Sequence, residues 1–327
     1  MKKVKRIGVL TSGGDAPGMN AAIRSVVRKA IFEGLEVKGI LRGYEGLISG
    51  DEIIDMNSRS VSNILSRGGT ILKTARSKEF MEKSGQKKAA DTIKKNGIDN
   101  LIIIGGNGSF QGAQILHKEW GVKNIGIPGT IDNDVGHTDY TIGAHTSVDT
   151  ALDAIDKIRD TVNSMERIYV VEVMGRKEPY IAVMSGLAGG AEEVLYPGGE
   201  LDIDKMTKEI KTGEKKGKIS WIIVVSEGVS SAHSIAEQIR NKTGYEVRGV
   251  TLGHIQRGGS PNAPDRILAS RMGAFSVTAA TEGRSGEMVA IQGNKLCLVP
   301  YEKACFEMDK DKKLHAELYD LTKLLAT

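Results

Sequence analysis

The sequence predicts an α/β protein in which helices cover mostly parallel sheets. Short, nearly continuous apolar runs alternate with helical periods along most of the 327 residues. Continuous rather than alternating hydrophobicity is typical of strands that are covered on both faces. Glycine accounts for 40 residues, which is about twice its ordinary frequency and is concentrated in short turns. The length suits two compact domains or one large α/β unit, and there are enough strands for two sheets.

The candidate elements follow one another in a regular order. Seven apolar runs predict strands over 6–11, 36–41, 100–106, 124–130, 167–175, 220–228 and 246–253. A helix is predicted over 146–165, where it would bridge the two domains, because one stripe carries Val148, Leu152, Ile155, Ile158 and Val162. The segment 305–313 is expected to be a charged connector, and 310–327 a terminal amphipathic helix.

Composition limits the classes of function. The net charge is +4 and aromatic residues make up only 5%, and no Arg/Lys block is interleaved with aromatics, so no nucleic-acid partner is expected. The N-terminus lacks the pattern of a signal peptide, and no segment has the ~20 apolar residues of a membrane span, so no membrane association is expected. Cys297 and Cys305 fit neither a disulfide framework nor a metal-ligand spacing, which favours a reducing, cytoplasmic location.

Two glycine turns follow predicted strands. They lie in LTSGGDAPGMNAAIR (10–24) and GGNGSF (105–110), and neither has the spacing of a dinucleotide fingerprint or a Walker motif. Adjacent glycines let a phosphate approach the backbone near Gly14, whereas the alternative is a plain strand-to-helix connection. Two such turns in one domain could grip two parts of one polyphosphate.

Paired carboxylates follow another strand, in PGTIDNDV (127–134). Asp132 and Asp134 are two residues apart, so on an extended segment they point the same way. One could take a proton while the other holds a metal or orients its neighbour. The alternative is an Asx-turn or a helix cap, which aspartate and asparagine also favour.

Basic side chains occur at further strand ends. LGHIQRGGSP (253–262) offers His254 and Arg257, and Arg167, Arg176 and Arg248 begin, end or interrupt other strands. Arginine suits bidentate phosphate binding, so their convergence predicts an anionic substrate. A buried ion pair would account for any single arginine, and a structural role would account for the histidine.

A second group of cations lies elsewhere. Arg24 and Arg28 are four residues apart and share a helix face, while Arg159 and the segment 215–220 add further positive charge. A solvated face and a second anion site both stay open as interpretations.

Together these stretches resemble the bacterial ATP-dependent 6-phosphofructokinase family. The matching stretches run in family order from residue 8 to about 275 and are GVLTSGGDAPGMNAAIR, RGGT…TAR, GGNGS, PGTIDND, TIG, AIDKIRDT, VEVMGR, AGG, SEG and LGHIQRGGSP…DRILASRMGA. The resemblance implies two three-layer α/β/α domains with the active site in the cleft between them. An ATP-binding domain would comprise 1–142 and 255–306, and a sugar-phosphate-binding domain 143–254 and 307–327.

The resemblance also implies an activity. The chain would be a glycolytic, allosteric kinase, a cytoplasmic homotetramer whose active sites are shared between subunits. With Mg²⁺ it would transfer the γ-phosphoryl group of ATP to the 1-hydroxyl of fructose 6-phosphate.

Site residues carry over by motif, and the resemblance implies the role of each one. Asp132 would be the base, with Thr130 and Asp134 beside it, and Arg76 and Arg176 would stabilise the transferred group. The residues for ATP would be Gly14, Arg76, Ser77, Gly106, Asn107, Gly108 and Ser109. Those for the sugar phosphate would be Thr130, Ile131, Asp132, Met174, Gly175, Arg176, Glu227, His254, Ile255, Gln256 and Arg257, with Arg167 and Arg248 from a neighbouring subunit. Those for an effector, ADP or phosphoenolpyruvate, would be Arg24, Arg28, Arg59, Arg159, Gly190, Glu192, Lys216 and Lys218.

The sequence departs from the family at the metal and nucleotide positions. Asn107 stands where the family usually has an aspartate that helps hold Mg²⁺, which leaves Asp134 as the charged metal position and predicts weaker metal retention or slower turnover. Lys73 replaces a usual glycine and is hypothesised to approach the nucleotide phosphates; the alternative is a solvent-facing lysine.

Two further departures concern the sugar and effector positions. Pro179 stands where a glycine is common, beside the proposed sugar site. Ser58 stands near the position of a family arginine, with Arg59 one place along, which predicts altered regulation.

Two other functions remain as alternatives. A pyrophosphate-dependent phosphofructokinase typically has aspartate in place of the last glycine of GGNG and lysine before TIDND, whereas Gly108 and Gly129 at these positions favour ATP. A non-catalytic, nucleotide-binding regulatory member is supported by Asn107, while Asp132, Arg76 and Arg176 argue against it.

Overall fold

The structure is a computed structural model that describes residues 4–165, 167–218, 220–306 and 312–326. The chain divides into two compact units. The first unit comprises Met1–His145 and Arg257–Lys310, and the second comprises Thr146–Gln256 and Asp311–Thr327.

Strands and helices alternate along both units. The strands are β1 (Arg6–Thr11), β2 (Glu36–Ile40), β3 (Ile53–Met56), β4 (Asn100–Gly105), β5 (Asn124–Pro128), β6 (Ile168–Val173), β7 (Glu193–Leu195), β8 (Trp221–Ser226), β9 (Val247–Thr251), β10 (Glu287–Gln292) and β11 (Lys295–Pro300). The helices are α1 (Met19–Phe32), α2 (Gly43–Ser49), α3 (Lys83–Lys95), α4 (Asn107–Trp120), α5 (Ala144–Met165), α6 (Tyr180–Ala188), α7 (Ile203–Lys215), α8 (Ala232–Thr243), α9 (Ala263–Thr281), α10 (Tyr301–Phe306) and α11 (Lys312–Leu325). Short 3₁₀ helices occur at Glu79–Met81 and Gly253–Arg257.

The first unit is built on a seven-stranded sheet in the order β11-β10-β5-β4-β1-β2-β3. The pairs from β10 to β2 are parallel, whereas β3 and β11 run antiparallel at the two edges. Every residue of β4 and β5 is buried, as expected for strands covered by helices on both faces. In such a sheet, ligands bind beyond the carboxyl ends of the strands, which is where the glycine turns and the aspartates begin.

The second unit is built on a four-stranded, fully parallel sheet in the order β7-β8-β6-β9. β8 is buried along its whole length, and α7 and α8 contribute Met206, Ile210, Ile235 and Ile239 to the same hydrophobic core.

The predicted α/β class is confirmed, and all seven predicted strands are present: β1 has the predicted bounds, and the other six end one or two residues earlier than predicted. The predicted interdomain helix is α5, where Ile155 and Val162 are buried and the other three residues of its stripe are half-buried. The division between the units falls within this helix. In the described part of the chain, no helix combines the length and apolar character needed to cross a membrane.

Several elements were missed or placed wrongly. β3 and β7 are short edge strands, and β10 with β11 forms an antiparallel hairpin that the search for buried parallel strands overlooked. The connector predicted over 305–313 is wrong at its start, because Cys305 lies in α10 and is buried in the core with Tyr301 and Ala304. Residues 307–311 of that segment lie outside the described part. The terminal helix is confirmed as α11.

Candidate active site

The first glycine turn follows β1 and is held by the segment 70–76. The Thr74 Oγ1 donates to the carbonyl of Gly13 (2.7 Å), and the Thr11 Oγ1 donates to the carbonyl of Lys73 (2.8 Å). Gly13 has a left-handed backbone (φ 88°), which glycine adopts without strain. These bonds fix the chain just before Arg76, whose side chain is exposed.

Asp15 and Arg257 close the other side of this turn. The Asp15 Oδ1 accepts from the backbone N–H groups of Ala16 (3.1 Å) and Thr70 (3.3 Å), and Arg257 Nη1 donates to the Asp15 carbonyl (3.3 Å). Burial raises the pKa of the Asp15 carboxyl and outweighs the opposing effects of these two hydrogen bonds and of Arg257. A Cβ atom on Gly14 would lie 2.6 Å from Arg257 Nη1. Arg257, expected among the sugar-phosphate residues, therefore packs on the first unit against the glycine turn.

The second glycine turn joins β4 directly to α4. A Cβ atom on Gly105 would lie 2.5 Å from Ser109 Oγ, so only glycine fits there, whereas Gly108 has nothing within 4 Å of its missing Cβ. No side chain caps this helix. The uncapped N–H groups at the start of a 14-residue helix favour an anion, and the open space at Gly108 gives it access.

Buried neutral groups support the second turn from behind. Tyr44 Oη donates to the carbonyl of Ser109 (2.5 Å), and Cys305 Sγ contacts the carbonyl of Asn107 at 3.9 Å. Burial raises the pKa of the Tyr44 hydroxyl, and it raises the pKa of the Cys305 thiol to about 11. Both groups are uncharged at neutral pH, so they hold the backbone without opposing the positive end of the helix.

The residues 130–141, which we call the aspartate loop, follow β5. Thr130 Oγ1 donates to Asp134 Oδ1 (3.0 Å) and accepts from the backbone N–H of Asp132 (3.3 Å). Asn107 Nδ2 donates to the carbonyl of Asp134 (2.7 Å) and lies 3.4 Å from its Oδ2. The structure therefore brings Thr130, Asp132 and Asp134 together with the start of α4.

Asn133, between the two aspartates, was not predicted as a site residue. It is buried with a left-handed backbone (φ 50°), and its Oδ1 accepts from the backbone N–H of Thr141 (2.9 Å). This bond spans eight residues, so it is not the local Asx-turn that was the alternative for this motif, in which the side chain accepts from the residue two positions on. The preference of asparagine for left-handed turns was the signal that could have identified it.

The oxygen ligands near Asp134 are typical of a metal ion that is bound mainly by the phosphates of its substrate and only in part by the protein. Within the described residues no three His, Cys, Asp or Glu side chains cluster as a metal site. Mg²⁺ bound together with phosphates uses only one or two carboxylates from the protein. Asp134 is one such carboxylate and Asn107 adds an uncharged amide, so the residues fit a phosphate-bound Mg²⁺ with one charge fewer than two carboxylates would supply.

In the second unit the predicted anion-binding arginines are paired on the surface. Arg167 Nε lies 2.9 Å from Glu246 Oε2, and Arg248 also hydrogen-bonds Glu246. The hydrogen bond from Arg248 is the main reason why the pKa of Glu246 is lowered. Arg176, whose side chain is 81% exposed, lies 3.6 Å from Glu227. Each of these arginines thus forms an ion pair, but none of the pairs is buried as that alternative required, since Arg167 is half-buried and Arg176 and Arg248 are exposed. Binding of an anionic substrate by these arginines stays a prediction.

The other predicted sugar residues differ in exposure. Met174 is buried after β6, and Gly175 has a left-handed φ of 130°. His254 and Ile255 are exposed in the 3₁₀ helix Gly253–Arg257, where Gln256 is buried and donates to the carbonyl of Gly253 (3.1 Å).

The predicted effector residues are divided between the units. In the second unit, Arg159 donates to the carbonyls of Gly189 (2.6 Å) and Gly190 (2.7 Å), and Lys218 Nζ lies 3.5 Å from Glu192 Oε1. A cavity of about 900 Å³ is lined by Glu192, Lys205, Lys208, Lys216, Lys218 and Lys323, among others. Arg24, Arg28 and Arg59 belong to the first unit, where Arg28 and Arg59 are exposed and Arg24 is half-buried.

The chain is similar to known proteins along most of its length. Residues 6–280 match the family model described as phosphofructokinase. A protein of Thermoanaerobacter sp. (strain X514), named ATP-dependent 6-phosphofructokinase, is 51% identical over 99% of this chain and 100% of its own length. A protein of the same name from Clostridium acetobutylicum is 51% identical over the same shares. The crystal structure of Pichia pastoris phosphofructokinase in the T-state superposes with a TM-score of 0.89 at 36% identity, covering 99% of this chain and 40% of that one.

Proposed function

The chain belongs to the phosphofructokinase family, and from that premise we propose that it transfers the γ-phosphoryl group of ATP to the 1-hydroxyl of fructose 6-phosphate. The products are fructose 1,6-bisphosphate and ADP. Phosphoryl transfer of this kind depends on positioning and on charge neutralisation more than on covalent help from the protein.

Asp132 is the proposed base for the sugar hydroxyl. Its backbone N–H is held by Thr130 Oγ1, and the same hydroxyl is bonded to Asp134. A base fixed in this way need not reorganise when the hydroxyl proton is transferred to it.

The nucleotide phosphates are proposed to rest on the two glycine turns of the first unit. Gly14, Gly106, Gly108 and the N-terminus of α4 offer backbone N–H groups, and Ser77, Ser109 and Arg76 lie in or next to these segments. Arg76 is exposed and can turn towards the transferred group, where its planar guanidinium can bind two phosphate oxygens.

Mg²⁺ is the divalent metal proposed for this family member. Asp134 would hold it by its carboxylate and Asn107 by its amide oxygen, directly or through water. When bound, the ion neutralises charge on the phosphate oxygens.

The sugar phosphate is proposed to bind to residues of the second unit together with Arg257. Arg176 would bind the transferred group, while Met174, Gly175, Glu227 and His254 contact the sugar. Arg167 and Arg248 are proposed to act in a neighbouring subunit of a cytoplasmic homotetramer, where the 6-phosphate would replace Glu246 as their partner.

Regulation is proposed at the lysine-lined cavity of the second unit. Its lysines and Glu192 fit an anionic effector such as ADP or phosphoenolpyruvate. Fructose 6-phosphate saturation curves with and without each effector test this, and Lys218→Ala should abolish the response to the effector.

ATP is favoured over pyrophosphate as the phosphoryl donor. The open space at Gly108 leaves room for a nucleotide where an aspartate would add bulk and negative charge. The Thermoanaerobacter and Clostridium relatives, each 51% identical to this chain, are named ATP-dependent.

The observation that carries the proposal is the bonding of Thr130 and Asn107 to Asp134, beside Asp132 at the start of α4. The test is an enzyme-coupled assay for fructose 1,6-bisphosphate, with ATP or pyrophosphate and with Mg²⁺ varied. We expect product when ATP and Mg²⁺ are both present and no product when pyrophosphate replaces ATP. Product from pyrophosphate but not from ATP, or no product from either donor, contradicts the proposal.

A further inference from the structure

We infer that the turn of the β10–β11 hairpin is a positioning clamp for the aspartate loop, and that Asp139 is its central residue. The inference rests on the proposed function in that Asp132 and Asp134 are taken to act on the substrates. It adds residues of the β10–β11 hairpin, none of which is among those proposed above to bind the substrates, to the parts on which turnover depends.

The hairpin holds Asp139 through both its backbone and its side chain. The Asp139 N–H donates to the carbonyl of Ile291 (2.7 Å), and the Asp139 Oδ2 accepts from the N–H of Gly293 (2.7 Å). Gly293 and Asn294, between β10 and β11, both have left-handed backbones (φ 51° and 68°), as in the tight turns that suit twisted hairpins. The turn therefore presents its N–H groups in a fixed direction towards the loop.

Two further bonds hold the residues just before Asp139. The N–H of Ile291 donates to Thr138 Oγ1 (3.0 Å), and Gln292 Nε2 donates to the carbonyl of His137 (2.8 Å). Thr138 is buried. Three consecutive hairpin residues, 291–293, thus form hydrogen bonds to three consecutive residues of the loop, 137–139.

From Asp139 the contacts continue to the aspartates. Asn133 Nδ2 donates to the carbonyl of Asp139 (3.2 Å), and Asn133 Oδ1 accepts from the N–H of Thr141 (2.9 Å). Thr141 Oγ1 also donates to the carbonyl of Thr130 (2.7 Å). Because Asn133 is buried and lies between Asp132 and Asp134, fixing it fixes the direction in which both carboxylates leave the backbone.

The clamp predicts a specific kinetic signature. Displacing a reacting group by about 1 Å costs on the order of 10²-fold in rate, whereas groups that bind substrate elsewhere are unaffected. Loosening the hairpin turn should therefore lower kcat about tenfold or more while the KM values for ATP and fructose 6-phosphate change less than about twofold.

The decisive variants are Gly293→Ala and Gly34→Ala. Both glycines have left-handed backbones, at φ 51° and 75°, and neither has an atom within 4 Å of its missing Cβ. Both changes add the same backbone strain within the first unit, so both should lower Tm by a similar amount. Only Gly293→Ala should lower kcat. Equal kcat values in the two variants would overturn the clamp.

Asp139 provides the second pair of variants. Asp139→Ala removes the acceptor for Gly293 and should lower kcat, whereas Asp139→Asn keeps an acceptor oxygen and should restore most of it. Loss of rate in both variants to the same degree, in proportion to their loss of Tm, would indicate a purely structural role and overturn the inference.

Hydrogen–deuterium exchange separates this inference from the proposed function. Peptides covering residues 130–141 should exchange faster in Gly293→Ala and Asp139→Ala than in the parent and in Gly34→Ala. This readout does not require turnover, so an inactive parent chain would contradict the proposed function and leave the clamp to be decided by exchange. Unchanged exchange in 130–141 would overturn the clamp even if the parent is fully active.

Discussion

The aspartate loop and the arginines of the second unit are held in opposite ways. In the loop, Thr130, Asn107 and Asn133 bind backbone and carboxylate groups from several directions. In the second unit, Arg176 and Arg248 are exposed, and they are ion-paired with Glu227 and Glu246, respectively. The groups proposed to handle a proton and a metal are thus fixed before the substrate arrives. Those proposed to bind phosphate are exposed arginines, each paired with one carboxylate, the exposed Glu246 or the half-buried Glu227.

The difference follows from the chemistry. Proton transfer requires accurate placement, and the loop is held by several hydrogen bonds to uncharged partners, of which Asn133 is buried and Thr130 and Asn107 are half-buried. Phosphate brings its own charge and can displace a carboxylate from an arginine, and an exposed ion pair contributes little to stability that would be lost in the exchange. Mutations in the first region should therefore change kcat, and mutation of Arg248, which is proposed to bind the 6-phosphate, should change KM.

The largest effect is expected for Asp132→Asn. Removing the proposed base should lower kcat by on the order of 10²–10⁴-fold, with little change in either KM or in Tm. The coupled assay measures kcat and KM, and a thermal melt measures Tm. Asp156→Asn, a matched change at an exposed position of α5, should be nearly silent. A large change in KM with kcat preserved would remove the contrast between the two regions.

Arg248→Ala should have the next largest effect, and this effect should be on KM rather than on kcat. Loss of a charge-assisted contact to the 6-phosphate is expected to raise the KM for fructose 6-phosphate about tenfold, with kcat nearly unchanged. Glu246→Gln is the matched control, because it removes the competing carboxylate and should leave this KM unchanged or lower it. A fall in kcat without a change in KM would show that Arg248 acts in another way.

Asn107→Asp tests how firmly the fixed region holds its metal. The added negative charge should lower the Mg²⁺ concentration needed for half-maximal activity several-fold. Binding of Mn²⁺ in the presence of ATP, followed by its electron paramagnetic resonance signal, gives the same comparison without turnover. Asn107→Ala, which removes the bond to the Asp134 carbonyl without adding charge, should not tighten metal binding. Equal tightening in both variants would exclude the charge as the cause.

The strand ends were predictable because each carries a local signal. Buried apolar runs lead directly into GGNG and into TIDND, and these residues lie beyond β4 and β5 as predicted. The pairing of Asn107 with Asp134 joins two such ends on adjacent parallel strands, so their order in the sheet brings them together.

The contacts of the hairpin could not be predicted in the same way. Asp139 and Gly293 are 154 positions apart in the sequence, and no local pattern relates them. The hairpin itself had a signal, because Gly293 and Asn294 form a two-residue turn between two short apolar runs. Arg257 is a similar case, since its contact with the Asp15 carbonyl spans 242 positions.

The smallest expected effect concerns Lys73, whose backbone is left-handed (φ 58°). A non-glycine side chain in this conformation costs roughly 1–2 kcal/mol, which glycine would remove. Glycine also makes the unfolded chain more flexible, which lowers the stability of the fold by roughly 0.5–1 kcal/mol. Lys73→Gly should therefore raise the free energy of unfolding by about 0.5–1 kcal/mol, measured by urea denaturation. Asn63→Gly, at φ 57°, is the control and should change stability less, because asparagine tolerates this conformation.

The same variant decides what the Lys73 ammonium does. The Lys73 carbonyl is bonded to Thr11 beside the first glycine turn, and the side chain is exposed. If the ammonium reaches the nucleotide phosphates, Lys73→Gly raises the KM for ATP while it stabilises the fold, and the loss grows as Mg²⁺ is lowered. An unchanged KM at every Mg²⁺ concentration means that Lys73 is a solvent-facing residue. In that case the loss of charge at Asn107 is not offset from this position.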